Sequence, residues 1–270
     1  MCEQVRWLRT KYDAGTYGVG RLTSITDESG QMSLSYDHRG NVTQDSRIVD
    51  GQSYVVDYTY DLADNIQTMT YPSGRTITFT RDTAGRVTSI KEGATVLVEN
   101  VLYHPFGRPK SWDYGNGLTQ VVDIDTDGRV DEWKVLDGST ELHKWSYNYD
   151  DVHNIDDITK DGTLEDYNYD DVYRLKDQTP IGQSQISYTY DGVGNRKSET
   201  QGVNSKTYSY EGSSNRLISD DGQAINYDDA GNVVSDDNGN RVFTYNRSNR
   251  LSAIHESGLL RAEYSYNSSG

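Results

Sequence analysis

One phrase recurs along this chain and limits what it can fold into. The copy Tyr188-Thr189-Tyr190-Asp191-Gly192-Val193-Gly194-Asn195-Arg196 shows its parts: alternating tyrosines, an aspartate, a short glycine-bearing stretch, then asparagine or arginine. Further copies are Tyr36-Asp37 to Val42, Tyr60-Asp61 to Ile66, Tyr169-Asp170 to Leu175 and Tyr227-Asp228 to Val233. Looser ones start at Arg81-Asp82, Tyr149-Asp150 and Tyr245-Asn246. The aspartates stand at 37, 61, 82, 125, 150, 170, 191 and 228, so most successive gaps are 24, 21, 25, 20 and 21 residues. Glu211 falls inside the gap from 191 to 228, and His104-Pro105-Phe106-Gly107-Arg108 is a unit that has lost its aspartate. A period of this length marks an array in which each unit buries its apolar face only against its neighbours.

Each unit has the chemistry of two strands and two turns. Tyrosines two apart share one face of a strand. The aspartate can bond the backbone just downstream, and glycine admits positive φ. A second, shorter turn follows about ten residues later (a spacing typical of short strands) at Glu28-Ser29-Gly30, Asp50-Gly51, Pro72-Ser73-Gly74, Glu92-Gly93, Asn116-Gly117, Asp137-Gly138, Asp161-Gly162 and Asp221-Gly222. Asp-Gly and Asn-Gly between alternating runs such as Tyr54-Val55-Val56-Asp57-Tyr58-Thr59-Tyr60 are strong hairpin signals. Glycine or aspartate interrupts every window that would make an amphipathic helix. The expected fold class is all-β: an array of antiparallel hairpins in a single domain over residues 1–270, with residues 1–11 as an atypical N-terminal segment.

Tyr-Asp-x-x-Gly-Arg/Asn-hydrophobic at this spacing resembles the YD-repeat, or Rhs-repeat, family, over nearly the whole chain from Tyr12-Asp13 to Tyr266-Asn267. The resemblance implies a long sheet that spirals into a full or partial hollow shell, as in secreted bacterial polymorphic toxins, insecticidal toxin complexes and the adhesion proteins called teneurins. It also implies a secreted or cell-surface setting and a piece of a longer chain. The Asp-Pro-x-Gly motif that ends the toxin shells is absent, so neither a self-cleaving protease nor a toxin domain carries over.

Composition agrees with a thin wall. The hydrophobic share is 33%, and 22 tyrosines stand against 3 phenylalanines and 3 methionines. Tyrosine joins a large ring to a hydroxyl that must be wet or bonded. A formal charge of -16 repels phosphate backbones, which argues against nucleic-acid partners. The lone Cys2 excludes an intrachain disulfide and a cysteine-rich metal site. No run is apolar enough to span a membrane as a helix.

Two stretches carry candidate chemistry. Asp123, Asp125 and Asp127 with Gly128 imitate the start of a calcium loop, but Lys134 stands at its twelfth position, where a carboxylate belongs, and the same residues fit the repeat. Calcium is therefore a candidate cofactor only. The second stretch, residues 103–149, gathers Trp112, Trp133, Trp145, His104 and His143. On one strand face His143, Trp145, Tyr147 and Tyr149 line up. A polysaccharide platform would use Trp112, Trp133, Trp145 and Tyr149 as stacking surfaces. A lyase acting on an acidic glycan would use His143 and Tyr147 for proton transfer, with Arg108 or Arg129 holding the substrate carboxylate. The plainer alternative is that these rings fill the wall.

The functional expectation is a structural wall segment that encloses or presents another polypeptide of the same parent protein. A glycan-binding or lyase module around residues 103–149 and an adhesion surface are the alternatives.

Overall fold

The computed structural model describes residues 9–27, 30–49 and 51–266, and all the regular structure among them is strand apart from one short 3-10 turn at Asp237–Gly239. Trp7, Leu8, the Glu28-Ser29 and Asp50 turn positions and residues 267–270 lie outside the described residues. The chain divides into two compact units. One comprises residues up to Asp123 with Trp133–Leu142 and Tyr266; the other comprises Ile124–Glu132 and His143–Ser265.

The first unit carries β1 (Arg9–Tyr12), β2 (Leu22–Asp27), β3 (Gly30–Tyr36), β4 (Val42–Val49), β5 (Gln52–Tyr60), β6 (Ile66–Thr70), β7 (Thr76–Arg81), β8 (Val87–Glu92), β9 (Thr95–Tyr103), β10 (Pro109–Tyr114) and most of β11 (Leu118–Ile124). Each pairs antiparallel with the next in sequence. After β12 (Val130–Asp137), the second unit takes up most of β13 (Thr140–Tyr149) and continues through β14 (Ile155–Lys160), β15 (Thr163–Tyr169), β16 (Leu175–Thr179), β17 (Ile186–Tyr190), β18 (Arg196–Gln201), β19 (Asn204–Tyr210), β20 (Leu217–Asp220) and β21 (Gln223–Ala224). These again pair consecutively and antiparallel. A five-stranded sheet follows: β22 (Asn226–Tyr227), β23 (Val233–Asp236), β24 (Arg241–Tyr245), β25 (Leu251–Glu256) and β26 (Leu259–Glu263).

The turns at one edge of these ladders are built by the aspartates. In the Asp191 turn, Oδ1 accepts the N–H groups of Val193 (3.0 Å) and Asn195 (2.8 Å), and Oδ2 accepts the Asn195 side chain at 2.9 Å. The Asp191 N–H donates to the Asn195 carbonyl at 2.9 Å, closing the ladder. Asp37, Asp61, Asp82, Asp125, Asp150, Asp170 and Asp228 repeat this scheme, with the residue four further on supplying either an asparagine amide or an arginine Nε. Asn246 does the same through its amide oxygen. On the opposite edge, Asp161-Gly162 (φ 49° and 82°) and Asp221-Gly222 (φ 49° and 81°) turn the chain with two positive φ angles in succession, as tight hairpins require.

The register slips by one residue beside nearly every repeat tyrosine or its substitute: Ser35 faces Gln44 while Tyr36 faces Val42, and Thr189 faces Ser198 while Tyr190 faces Arg196. The extra residue bulges the partner strand and increases its local twist. The tyrosine ring lies half-buried over the preceding repeat, and its hydroxyl donates to a backbone carbonyl there. Tyr36 binds the Leu22 carbonyl (2.5 Å), Tyr60 that of Val42 (2.7 Å), Tyr103 Val87 (2.7 Å), Tyr149 Val130 (2.8 Å) and Tyr169 Ile155 (2.9 Å). Tyr190 binds Leu175 (2.7 Å), Tyr210 Arg196 (3.0 Å), Tyr227 Leu217 (2.6 Å) and Tyr245 Val233 (2.9 Å). Where arginine replaces the tyrosine, Arg81 Nη1 makes the same bond to the Ile66 carbonyl at 2.6 Å. The acceptor is always the residue that opens the strand after the preceding turn. Tyr227 thereby ties the five-stranded sheet to β20 where the ladder itself has ended.

An arginine just before the acceptor adds a second contact. Arg86, Arg129, Arg174 and Arg216 lie 4.7, 4.4, 4.7 and 4.9 Å from the ring centres of Tyr103, Tyr149, Tyr190 and Tyr227. One tyrosine is thus gripped on its face by a guanidinium and at its tip by the next residue's carbonyl.

These clasps stand in for a core. Among the described residues only Met32 and Ile158 are buried apolar side chains. The largest fully buried side chain is polar: Gln120, 1% exposed, whose amide donates to the Lys134 carbonyl at 2.8 Å.

Two measurements check this account. Tyr190→Phe removes the donor to Leu175 and is expected to cost about 1 kcal/mol in urea unfolding, whereas Tyr54→Phe, at an exposed tyrosine with no such bond, is expected to leave the midpoint unchanged. Equal midpoints for both variants would show that the clasp contributes nothing. The second is acid unfolding. The Asn65 backbone holds the Asp61 carboxyl below its usual range, as the Arg86 side chain does for Asp82, the Arg174 backbone for Asp170 and the Asn232 side chain for Asp228. A folded pKa below the unfolded one stabilises above the ordinary carboxylate value of about 3.9 and is lost as pH falls through the lowered values. The urea midpoint is therefore expected to be level at neutral pH and to fall below about pH 4. Because Asn246 builds the same turn uncharged, Asp61→Asn with Asp228→Asn should fold and show a shallower acid loss. An unchanged slope in that double variant counts against the turns as its source.

Candidate functional site

The residues singled out for chemistry are divided between the two units. Arg108, Trp112, Trp133 and Asp123 belong to the first, and Arg129, His143, Trp145, Tyr147, Tyr149, Asp125 and Asp127 to the second.

In the first unit Trp112 on β10 is half-buried and meets Tyr114 edge-on, with ring centres 6.1 Å apart. Arg108 closes the turn that begins at His104, where histidine stands in place of the turn aspartate: the His104 N–H donates to the Arg108 carbonyl at 2.9 Å. The His104 ring is buried and its Nε2 donates to the Val122 carbonyl at 2.8 Å, so this histidine ties its turn to β11. Asp123 pairs with Lys134, Nζ to Oδ2 at 3.3 Å.

In the second unit β13 does present His143, Trp145, Tyr147 and Tyr149 with one parity, as their spacing required. His143 and Tyr147 stand four residues apart on that strand, a separation of about 13 Å. His143 Nδ1 lies 3.0 Å from Asp161 Oδ2, and the other oxygen of Asp161 accepts the Lys144 N–H at 2.7 Å. Trp145 faces Lys160 across the ladder, with the ammonium 5.1 Å from its ring centre; Lys160 also binds Glu165 at 2.5 Å. Burial weakens the acidity of the Tyr147 hydroxyl, and burial with a bond to Glu165 pushes the pKa of Tyr167 up to about 12. A tyrosine so shifted is protonated at neutral pH and is poorly suited to act as a base.

Arg129 is engaged on every side. Its Nε lies 2.7 Å from Asp125, its Nη2 3.2 Å from Asp127, and its Nη1 donates to His153 Nδ1 at 2.6 Å, while Tyr149 covers its plane. Asp125 and Asp127 thus face arginine. Among the described residues no group of three or more histidine, cysteine or acidic side chains converges as a metal site.

A rim network was not read from the sequence. In several turns the glycine of the repeat is replaced, and the replacement keeps a positive φ: Asp64 (63°), His153 (74°), Asn249 (60°) and Tyr173 (64°). The first three accept a bond from the preceding turn: Asp64 from Asn41 and Arg39 (both 2.8 Å), His153 from Arg129 (2.6 Å) and Asn249 from Asn232 (2.5 Å). Polar residues at a glycine position were the available signal.

The RHS Repeat family model matches residues 17–47 and 60–96. No curated protein matches the chain in sequence. Among solved structures, the Tc holotoxin pore of Photorhabdus luminescens superposes with a TM-score of 0.75 at 17% identity, over 92% of this chain and 15% of that one. TcdB2-TccC3 gives 0.72 at 17% identity, and TcdB2-TccC3-Cdc42 gives 0.71 at 18% identity; each covers 92% of this chain and 17% of the other. The chain therefore spans less than a fifth of these relatives' length, and at such identities the likeness establishes the fold. With repeats matched at residues 17–47 and 60–96, tyrosine clasps and aspartate turns continuing beyond them, and this fold, the chain carries YD/Rhs repeats.

Proposed function

We propose that this chain is a wall segment of an Rhs-type shell, one that encloses or presents another polypeptide of its parent protein in a secreted or cell-surface setting, with no catalysis of its own. The observation that carries the reading is the use made of its polar side chains. Repeat after repeat, the tyrosine, aspartate and arginine that would furnish a site are engaged in holding one hairpin to the next. Arg129, His143 and Tyr147 are held in the same way by Asp125, Asp161 and burial respectively. The strong charge of -16 would keep such a wall soluble on its wet faces. No helix among the described residues is long and apolar enough to cross a membrane.

Two tests follow. Expressed within its full-length gene product, the wall is expected to shield an adjoining segment from added protease, and Tyr169→Ala with Tyr190→Ala should open that segment to cleavage. Digestion at the same rate in both proteins would reject enclosure. Incubated with acidic polysaccharides, the chain is expected to release no unsaturated sugars. Product that appears with the native protein and is lost in His143→Ala with Tyr147→Phe would favour a lyase instead.

A further inference from the structure

Three successive turns on one rim of the second unit share an unusual surface. They join β13 to β14, β15 to β16 and β17 to β18, and in each the third residue is a valine whose N–H donates to the turn aspartate at 3.0 Å. The shared hydrogen-bond scheme sets the three side chains at equivalent positions of their turns. Val152, Val172 and Val193 are 47%, 63% and 72% exposed. Since the strands between them pair consecutively, the valines recur every two strands, about 9.5 Å. Asp127 occupies the corresponding position in the earlier Asp125 turn, and the turn after Gly194 is a longer one built on Glu211, so the apolar row is confined to these three copies.

Tyr173 sits in the middle of the row. It occupies the glycine position of its turn with φ 64°, a conformation that bulky side chains rarely adopt. Asp64, His153 and Asn249 hold the same conformation and bind the neighbouring turn. The Tyr173 N–H donates to the Asp170 carbonyl at 2.9 Å, but its side chain makes no hydrogen bond or ring contact among the described residues, and the residue is 60% exposed. Among the described residues its ring makes no contact that would offset this strain. An exposed, rigid aromatic flanked by aliphatics is the usual anchor of a binding surface. Beside it, Asp151 and Asp171 are exposed carboxylates, whereas the neighbouring Asp150 and Asp170 are occupied by their turns.

We propose that this rim docks a basic, proline-rich segment in the polyproline II conformation, with Tyr173 as its anchor. That conformation repeats every three residues, about 9.3 Å, and so returns a side chain to the same face in step with the valines. A helix with a heptad repeat advances about 10.5 Å and drifts out of step across three turns. Aromatic surfaces receive the preformed polyproline II helix well, and Asp151 and Asp171 select lysine or arginine between its apolar residues.

The test is fluorescence anisotropy with a labelled peptide of repeating Leu-Pro-Lys triplets against the whole chain. Binding is expected, and Tyr173→Gly and Val172→Ser should each weaken it about tenfold. Tyr173→Gly restores the residue favoured at that backbone angle and so should fold at least as well as the native chain, which circular dichroism and the urea midpoint will check. Asp171→Lys should weaken binding, whereas Asp229→Lys, on a turn outside the row, should not. The idea fails if the Leu-Pro-Lys peptide does not bind, if Tyr173→Gly binds as the native chain does, or if the two charge reversals act alike. It fails equally if a lysine-rich helical peptide with leucine at every seventh position binds better.

Discussion

A tyrosine hydroxyl reaching one repeat back to a backbone carbonyl is the interaction on which the rest of this structure depends. A ladder of hairpins one layer thick cannot bury enough apolar surface to hold itself together, because each strand has a neighbour on either side but little above or below. The chain answers with rings that lie along the sheet instead of beneath it. Each ring covers the preceding hairpin, its hydroxyl donates to a carbonyl beside a register slip, and burial raises the energy of any deprotonated form. The bond joins neighbouring strands beyond the last pair of their ladder, and the link from Tyr227 to Leu217 keeps it where pairing has lapsed.

The aspartate turn makes that bond possible. By gathering two backbone N–H groups and one side chain, the carboxylate fixes where the following strand begins, and therefore where the acceptor carbonyl points. When the residue four places on is arginine, its guanidinium is held by the aspartate and laid on the next tyrosine, so charge, ring and hydroxyl become one unit. The substitutions follow this logic. Arg81 replaces a tyrosine and keeps its bond; Asn246 replaces an aspartate and keeps its turn; His104 replaces an aspartate and sends its ring to a different carbonyl.

Such a wall has little spare chemistry. The groups that a glycan enzyme would need are here either spent in pairs or spread along a strand, as His143 and Tyr147 are. Part of what remains unspent lies at the rim, where the turns meet solvent and are free to vary without disturbing the clasp. Residues at the tips of the Asp150, Asp170 and Asp191 turns therefore suit recognition better than residues on the strands do.

The sequence by itself determined the architecture: the period, the two kinds of turn, the alternation of tyrosines and the antiparallel hairpins are all local, governed by backbone geometry over a few residues. It also placed His143, Trp145, Tyr147 and Tyr149 on one face of β13, because strand parity is a counting rule. Only the tertiary structure decided which carbonyl each tyrosine takes, since that partner lies ten or more residues away and its position depends on a one-residue register slip. Only it showed that Arg129 is bound by Asp125, Asp127, Tyr149 and His153, and that the Tyr173 side chain has no partner among the described residues, because both facts depend on how one turn stands beside the next. Periodicity tells which residues are equivalent; contact between the copies tells which of them are already engaged.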